Sequence, residues 1–147
     1  MDKRLIAGVA AVLIAGGTAG CSSKAEPAAK PPGSLLAGTA EVSVNGTDVN
    51  TTNAVSCTTT GPVTNIKTGD DQAGTTSAVK SADGLAVPFA QITNLGGFTG
   101  SYWQNLGPTA KVRMTGGTYE ITGTATGFIA DNPSARATET FTIKVAC

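Results

Sequence analysis

The chain has 147 residues, ten basic and ten acidic side chains, and a formal net charge of +0. This balance gives no sign of the basic patch or stripe by which nucleic-acid-binding proteins are usually known, so we expect no nucleic-acid partner. The chain contains no histidine, which excludes Ser-His-Asp and Cys-His catalysis and the usual imidazole zinc sites.

The N-terminal segment has the pattern of a secretory signal peptide. A charged start over residues 2–4 precedes an apolar run over residues 5–15, and small residues fill positions 16–20. Such a segment directs export and is then removed. The alternative is a permanent membrane helix, for which the run is short because a bilayer span needs about 20 apolar residues. We therefore expect a lipoprotein signal peptide over residues 1–20.

Cys21 follows these small residues directly, in an arrangement that resembles a bacterial lipobox. In a lipobox the cysteine thiol forms a thioether to diacylglycerol, and the cysteine becomes the new N-terminus. Thr18 stands where the usual pattern has leucine, so cleavage elsewhere without lipidation is the alternative. We expect no cofactor beyond the covalent diacylglycerol on Cys21, with or without an acyl chain on its amine. Two or more acyl chains hold a protein stably on a membrane. The predicted location is therefore the extracytoplasmic face of the cell membrane, and display of the domain at the cell surface is compatible with it.

Residues 21–40 form the predicted link between the lipid and the folded part of the chain. They contain three prolines, many alanines and few side chains that can pack, which is typical of a flexible tether. From Glu41 onward the chain is rich in threonine, glycine, valine and isoleucine, without a helical stripe of apolar residues. The length suits one domain. We expect a single β domain over residues 41–147.

Short runs of alternating apolar and polar residues follow one another through this domain, each ended by a turn signal. Residues 42–44 precede Asn45-Gly46, the strongest short signal for a hairpin. The segment 70–80 is the weakest strand assignment, because a short helix is also compatible with it. The pattern predicts an all-β fold of eight to ten antiparallel strands in a small β-sandwich or barrel-like domain. The later predicted strands cover residues 54–58, 63–68, 75–81, 85–95, 98–103, 110–114, 119–125 and 137–147, with a loop at 131–133.

The three cysteines divide into one for the lipid and two for the domain. With Cys21 assigned to the lipid, Cys57 and Cys147 remain, and outside the cytoplasm such a pair predicts a disulfide. Alternation places Cys57 on the face of Val55 and Cys147 on the face of Val145. We therefore expect both thiols to point to the buried side of the domain and to close it with one disulfide.

Several stretches of the chain resemble the mycobacterial 19-kilodalton lipoprotein antigen family. The most specific is the run Ile-Thr-Gly-Thr-Ala-Thr-Gly at residues 121–127. The resemblance covers nearly all of residues 41–147, and the Cys-Ser-Ser start at residues 21–23 also matches. The other matching stretches are residues 44–48, 55–59, 119–120, 131–133 and 141–147.

This resemblance implies a lipid-anchored, surface-exposed antigen whose acylated N-terminus is sensed by host Toll-like receptors, with adhesin-like roles proposed. It assigns the lipid to Cys21 and the disulfide to Cys57 and Cys147. It implies no established enzymatic activity and names no bacterial partner. The tether here is richer in proline, alanine and lysine, and poorer in threonine, than the glycosylated linker of the family.

Two short motifs match those of penicillin-recognising enzymes. Residues 77–80 fit Ser-x-x-Lys and residues 67–69 fit Lys-Thr-Gly. Those enzymes carry the motifs in the opposite order, with Ser-x-x-Lys at the start of a helix, so we interpret both as chance matches and expect no enzyme. The carboxylates that we interpret as solvated loop or surface charges are Asp70, Asp71, Asp131, Glu120 and Glu139.

Phe98, Tyr102 and Trp103 form the aromatic cluster of the domain. Packing in the core is the favoured interpretation, and an exposed interaction patch for a lipid or glycan is the alternative. The leading hypothesis for function is a surface-displayed, non-catalytic binding or interaction module. The second hypothesis is a periplasmic carrier that holds a lipid or glycolipid between its layers, which requires a cavity lined by apolar side chains.

Overall fold

The computed structural model describes residues 30–147, and every regular element in this range is a β-strand. The ten strands pair antiparallel in one sheet, which confirms the predicted all-β class. The strands are β1 (Thr39–Val44), β2 (Thr47–Thr52), β3 (Val55–Thr60), β4 (Val63–Gly69), β5 (Gly74–Lys80), β6 (Ala86–Leu95), β7 (Phe98–Trp103), β8 (Ala110–Thr115), β9 (Thr118–Ile129) and β10 (Asn132–Ala146).

The sheet curls until its two ends come close together. Its strand order is β2-β1-β10-β9-β7-β6-β5-β4-β3, and β8 pairs with β9 beside this path. The two edge strands β2 and β3 follow each other in the chain with only Asn53 and Ala54 between them. The Gly69 N–H donates to the carbonyl oxygen of Ala54 at 2.9 Å, which ties this connection to β4. The result is a nearly closed, barrel-like sheet.

Tight turns with left-handed backbone join two pairs of consecutive strands, one of them at the predicted Asn45-Gly46 hairpin. Asn45 and Gly46 have φ values of 53° and 77° between β1 and β2. Gly116 and Gly117, at 55° and 82°, form the corresponding loop between β8 and β9. Positive φ at both central residues is the requirement of a type I′ turn, which Asn and Gly meet at low cost. The turn chemistry therefore sets these two hairpins locally.

One side chain in two along each strand points into a single apolar interior. In β1 the inward residues are Ala40, Val42 and Val44, and the residues between them are half-buried or exposed. Burial of such side chains contributes roughly 1.5–3 kcal/mol each, which holds the sheet in its curled form. The core consists of Ala40, Val42, Val44, Ile66, Val79, Val87, Ala90, Ile92, Leu95, Phe98, Tyr102, Ile121, Ala125, Phe141, Ile143 and Val145.

The weakest strand assignment is confirmed and one other local prediction differs from the structure. Residues 74–80 form strand β5, paired on both sides by β4 and β6, and not the short helix that was the alternative. Strand β10 begins at Asn132 rather than at residue 137, because Asn132 pairs with Ile129 and continues the hairpin. Between Asn132 and Ala137 the register shifts: β10 advances five residues while β9 advances two. The predicted loop at 131–133 is therefore a tight turn followed by a bulge in a longer strand.

Part of the predicted tether packs on the sheet. The Leu35 N–H donates to Thr118 Oγ1 at 2.9 Å, and the Gly38 N–H donates to the carbonyl oxygen of Ala146 at 2.7 Å. Strand β1 itself begins at Thr39, before the predicted boundary at residue 41. The domain boundary therefore moves toward the N-terminus. The predicted signal peptide, Cys21 and the first part of the tether lie outside the described residues.

Candidate functional site

The predicted disulfide joins opposite parts of the sheet. Cys57 in β3 is bonded to Cys147, with the two Cα atoms 5.9 Å apart and a sequence separation of 90. This confirms the pairing. The expectation that both residues point to the buried side holds for Cys57, which is half-buried and packs against the core, and is wrong for Cys147, which is exposed. The reason is that β3 is an edge strand and β10 ends at Ala146, so the bridge lies at the margin of the core.

The three aromatic residues of the cluster do not form one exposed patch. Phe98 and Tyr102 are 0% and 6% exposed and belong to the core, whereas Trp103 is 44% exposed. Even-numbered residues of β7 point inward and odd-numbered residues point outward, which separates Tyr102 from its neighbour. Trp103 stacks instead on Phe89 of β6, with ring centroids 5.1 Å apart and planes inclined by 26°. The outward aromatic pair is therefore one that the sequence cluster did not contain.

A cleft of about 340 Å³ lies on the outward face of β6, β7 and β9, and is called the outer cleft below. Cross-strand pairing aligns Gln91, Ser101 and Thr126 in one row across its middle. Phe128, which is 39% exposed, stands at one side. No residue that lines the outer cleft is charged. The lining residues are Gln91, Ile92, Thr93, Thr99, Gly100, Ser101, Thr126, Gly127 and Phe128.

A second cleft continues from the first on the other side of Phe128. It has a volume of about 370 Å³ and shares Thr126, Gly127 and Phe128 with the outer cleft. Its other lining residues come from the bulge of β10, including Arg136. The Phe128 ring therefore separates a neutral cleft from one that contains a single guanidinium group.

The two glutamates predicted to face solvent have different surroundings. Glu120 lies on the outward face, where its Oε1 atom is 2.7 Å from Arg113 and its Oε2 atom is 3.8 Å from Lys144. Glu139 lies instead on the inward row of β10 between Ala137 and Phe141, and it is half-buried. It lines a cleft of about 310 Å³. The solvent-facing assignment of Glu139 is wrong because residue parity along β10 places it opposite the fully buried Ala125.

The residues of the two penicillin-enzyme motifs are not arranged for catalysis. Ser77 is 0% exposed within β5, and its hydroxyl has no hydrogen-bond partner among the described residues. Lys80 is exposed at the end of the same strand. Thr68, from the second motif, shares a hydrogen bond of 2.7 Å with the Thr75 hydroxyl inside the sheet. No base contacts the Ser77 hydroxyl, so we interpret both motifs as structural.

The acidic side chains of the loop after β4 are engaged in local contacts. The backbone N–H groups of Ala73 and Gln72 donate to Asp70 Oδ1 at 2.9 and 2.8 Å, and they hold the pKa of this carboxyl group below its ordinary value. Asp71 pairs with Lys67 at the surface. Within residues 30–147 no group of three or more histidine, cysteine or acidic side chains is placed to hold a metal ion. In the same range, no helix has the length and apolar character that crossing a membrane requires.

The carrier hypothesis receives no support from the interior. The space between the curled walls of the sheet is filled by side chains such as Phe98, Ile121 and Ile143, each fully buried. The two clefts that meet at Phe128 open onto solvent and are lined in large part by polar side chains or backbone. The cleft beside Glu139 has a more apolar lining but also opens onto solvent. A lipid carrier needs an enclosed apolar cavity, so these clefts do not match that function.

The chain is similar over most of its length to known mycobacterial proteins. The family model described as Mycobacterium 19 kDa lipoprotein antigen matches residues 33–147. A protein named as a lipoprotein from Mycobacterium avium subsp. hominissuis is 35% identical over 148 residues, which cover 100% of this chain and 97% of that protein. Lipoprotein LpqH of Mycobacterium bovis BCG and of Mycobacterium tuberculosis H37Rv is 32% identical over 108 residues, or 73% of this chain and 68% of each relative.

Proposed function

Because this chain belongs to the Mycobacterium 19 kDa lipoprotein antigen family, we propose that it is a surface-displayed lipoprotein whose β domain is a non-catalytic interaction module. Membership implies a membrane-anchored protein associated with the cell surface. The proposal adds three points: acyl chains on Cys21, an extracytoplasmic position of the domain, and sensing of the acylated N-terminus by host Toll-like receptors.

The observation that carries this proposal is the family match across the β domain, together with the lipobox-like Cys21 that precedes it. Leu35 is the first residue hydrogen-bonded to the far strands of the sheet, through Thr118. Pro31 and Ser34 already lie beside Gly116 of the β8–β9 turn. A fully extended chain covers at most about 3.6 Å per residue, so the segment from Cys21 to Pro31 can separate lipid and domain by up to roughly 36 Å. This reach allows the domain to contact partners beyond the lipid headgroups.

A non-catalytic role is supported by the side chains themselves. The chain has no histidine, and the Ser77 hydroxyl is buried without a neighbouring base. Glu120 is engaged by Arg113 and Lys144, and Asp70 is engaged by backbone N–H groups. Nucleophilic or acid–base catalysis needs a nucleophile within hydrogen-bond reach of a base, and the described residues do not supply that pair.

The experiment is mass spectrometry of the mature protein from its membrane fraction, with Toll-like receptor reporter cells as the second readout. We expect an acylated Cys21, and we expect Cys21→Ala to lose the acyl mass, leave the membrane fraction and lose receptor signalling. Thr18→Leu is the matched control, since it restores the usual lipobox residue and should preserve all three properties. An unacylated wild-type protein cleaved at another position would contradict the anchor and the receptor proposal together.

A further inference from the structure

The outer cleft presents neutral hydrogen-bonding groups that no other residue uses. The side chains of Gln91, Ser101 and Thr126 form a row across three strands, and none of them is hydrogen-bonded to another side chain or to backbone in the part of the chain described here. An amide and two hydroxyls supply both donors and acceptors. Thr99 Oγ1 accepts a hydrogen bond from the Asn94 N–H at 3.0 Å and can still donate its own proton.

Two aromatic rings stand on opposite sides of this row. Trp103 lies two residues beyond Ser101 in β7, and Phe128 lies two residues beyond Thr126 in β9. Because β7 and β9 are antiparallel, these steps lead in opposite directions along the face. With a rise of about 3.4 Å per residue, the rings are separated by roughly 14 Å along the strands. The face therefore has the pattern aromatic, polar, aromatic.

The orientation of Trp103 is held from within the sheet. Its indole stacks on the half-buried Phe89 ring at 5.1 Å, while 44% of its surface remains exposed. An exposed tryptophan leaves apolar surface in water, and stacking on a neighbour limits the positions that it can take. Because one side of the ring is already packed on Phe89, less conformational entropy is lost when a ligand covers the other side than for an unstacked side chain.

The floor of the outer cleft is backbone. Gly100 pairs with Gly127 there, and a Cβ atom at Gly100 would overlap the ring of Phe98 beneath it. Packing of the fully buried Phe98 under these glycines supports the floor from the inside. The hydroxyl and amide groups therefore rise around a rigid base.

We propose that the outer cleft, which Phe128 lines, together with Trp103 on the same face beyond Ser101, binds a neutral glycan chain. A sugar ring has an apolar face of C–H groups that stacks on aromatic rings and a rim of hydroxyls that hydrogen-bond to neutral amides and hydroxyls. The cleft supplies both kinds of contact and no charge, which disfavours anionic ligands. The polar row between the rings interrupts the apolar surface, which disfavours a lipid chain. A span of roughly 14 Å is longer than one sugar ring, so the ligand is an oligosaccharide or polysaccharide segment.

The test uses the complete mature lipoprotein in detergent micelles. Trp103 is the only tryptophan of the chain, so its fluorescence reports directly on this face. The neutral probes are dextran, mannan and galactan, and dextran sulfate is the anionic probe. We expect at least one neutral polysaccharide to change the Trp103 emission in a saturable manner and to retard the protein in affinity electrophoresis, while dextran sulfate does neither.

Variants locate the site. Loss of one aromatic contact should weaken binding about fivefold to tenfold in each of two variants. Binding by Trp103→Ala is measured by affinity electrophoresis, and binding by Phe128→Ala is measured by Trp103 fluorescence. Trp103→Phe keeps a ring and should retain most of the affinity. Met114→Ala is the matched control, because Met114 is also exposed, at 49%, but lies on β8 away from the outer cleft.

Three outcomes would overturn the proposal: failure of all three neutral probes, equal binding of dextran sulfate, or unchanged binding by Trp103→Ala and Phe128→Ala. The outcome does not depend on acylation of Cys21.

Discussion

Adjacent residues of this protein have opposite roles because strand geometry sends successive side chains to opposite faces. Tyr102 packs in the core at 6% exposure, while Trp103 presents 44% of its surface to solvent. The same geometry carries hydroxyls inward. Thr68 and Thr75 satisfy each other across β4 and β5 at 2.7 Å, but the equally buried Ser77 has no partner among the described residues. A buried hydroxyl without a hydrogen bond costs roughly 1–3 kcal/mol.

Ser77→Ala is therefore expected to raise the free energy of unfolding, by about 1 kcal/mol, because it removes an unsatisfied polar group. Urea denaturation of the variant and the wild type measures the difference. Thr75→Ala is the comparison. It removes the hydrogen-bond partner of the buried Thr68 hydroxyl and should lower the free energy of unfolding by about 1–2 kcal/mol. A Ser77→Ala protein less stable than the wild type would indicate that the hydroxyl has a partner.

Strand β9 pairs with three other strands of the sheet. One of its edges pairs with β10 along nearly its whole length, and the other is divided between β8 and β7. Gly127 lies where β7 joins it, opposite Gly100. A Cβ atom at Gly127 would overlap the carbonyl oxygen of Thr99 and the Cα atom of Gly100. Glycine in a strand interior often marks such a close backbone approach.

We expect Gly127→Ala to separate β7 from β9 and to lower the free energy of unfolding by about 2 kcal/mol or more, since overpacking against backbone has no side chain that can move aside. Thermal unfolding measures the loss of stability. Faster amide hydrogen exchange in β7 than in the other strands would show that the change is located there. Thr126→Ala, one residue away on the outward face, should cost less than about 1 kcal/mol. Equal stability of Gly127→Ala and wild type would refute the close-approach explanation.

The whole molecule is closed by non-local contacts. The strand order places β3 at one end of the sheet, and β10 lies next to β1 near the other end. The Cys57–Cys147 bond joins these two regions across 90 residues of chain. Chain-entropy models assign about 4–5 kcal/mol to a bridge that closes a loop of this size, by restricting the unfolded state. That is a large part of the total stability of a small domain, which is about 5–15 kcal/mol.

Replacing both cysteines, in Cys57→Ala/Cys147→Ala, is expected to lower the free energy of unfolding by about 4–5 kcal/mol in guanidinium denaturation. Wild-type protein kept in reductant should show a similar loss, which separates the effect of the bond from the effect of the new side chains. A loss below about 1 kcal/mol in both experiments would show that the curled sheet holds its ends together without the bond.

Features that depend on near neighbours in the chain could be predicted from the sequence. Alternation over residues 42–44 and 141–145 and the Asn45-Gly46 turn predict strands and hairpins, because side-chain direction and turn φ values are local properties. The signal segment, the lipobox-like Cys21 and the family resemblance are also contained in short stretches. Pairing of Cys57 with Cys147 followed from there being one pair left over.

The choice of neighbouring strands and the exposure of each side chain depend on contacts between distant parts of the chain. The division of the β9 edge between β7 and β8, and the start of β10 at Asn132, depend on hydrogen bonds to partners elsewhere in the chain. Exposure of Cys147 follows from the position of the bridge at the margin of the sheet. The outer cleft exists because Gln91, Ser101 and Thr126, distant in sequence, meet in one row. Burial and clefts are set by what packs against a residue, and local periodicity carries no information about that neighbour.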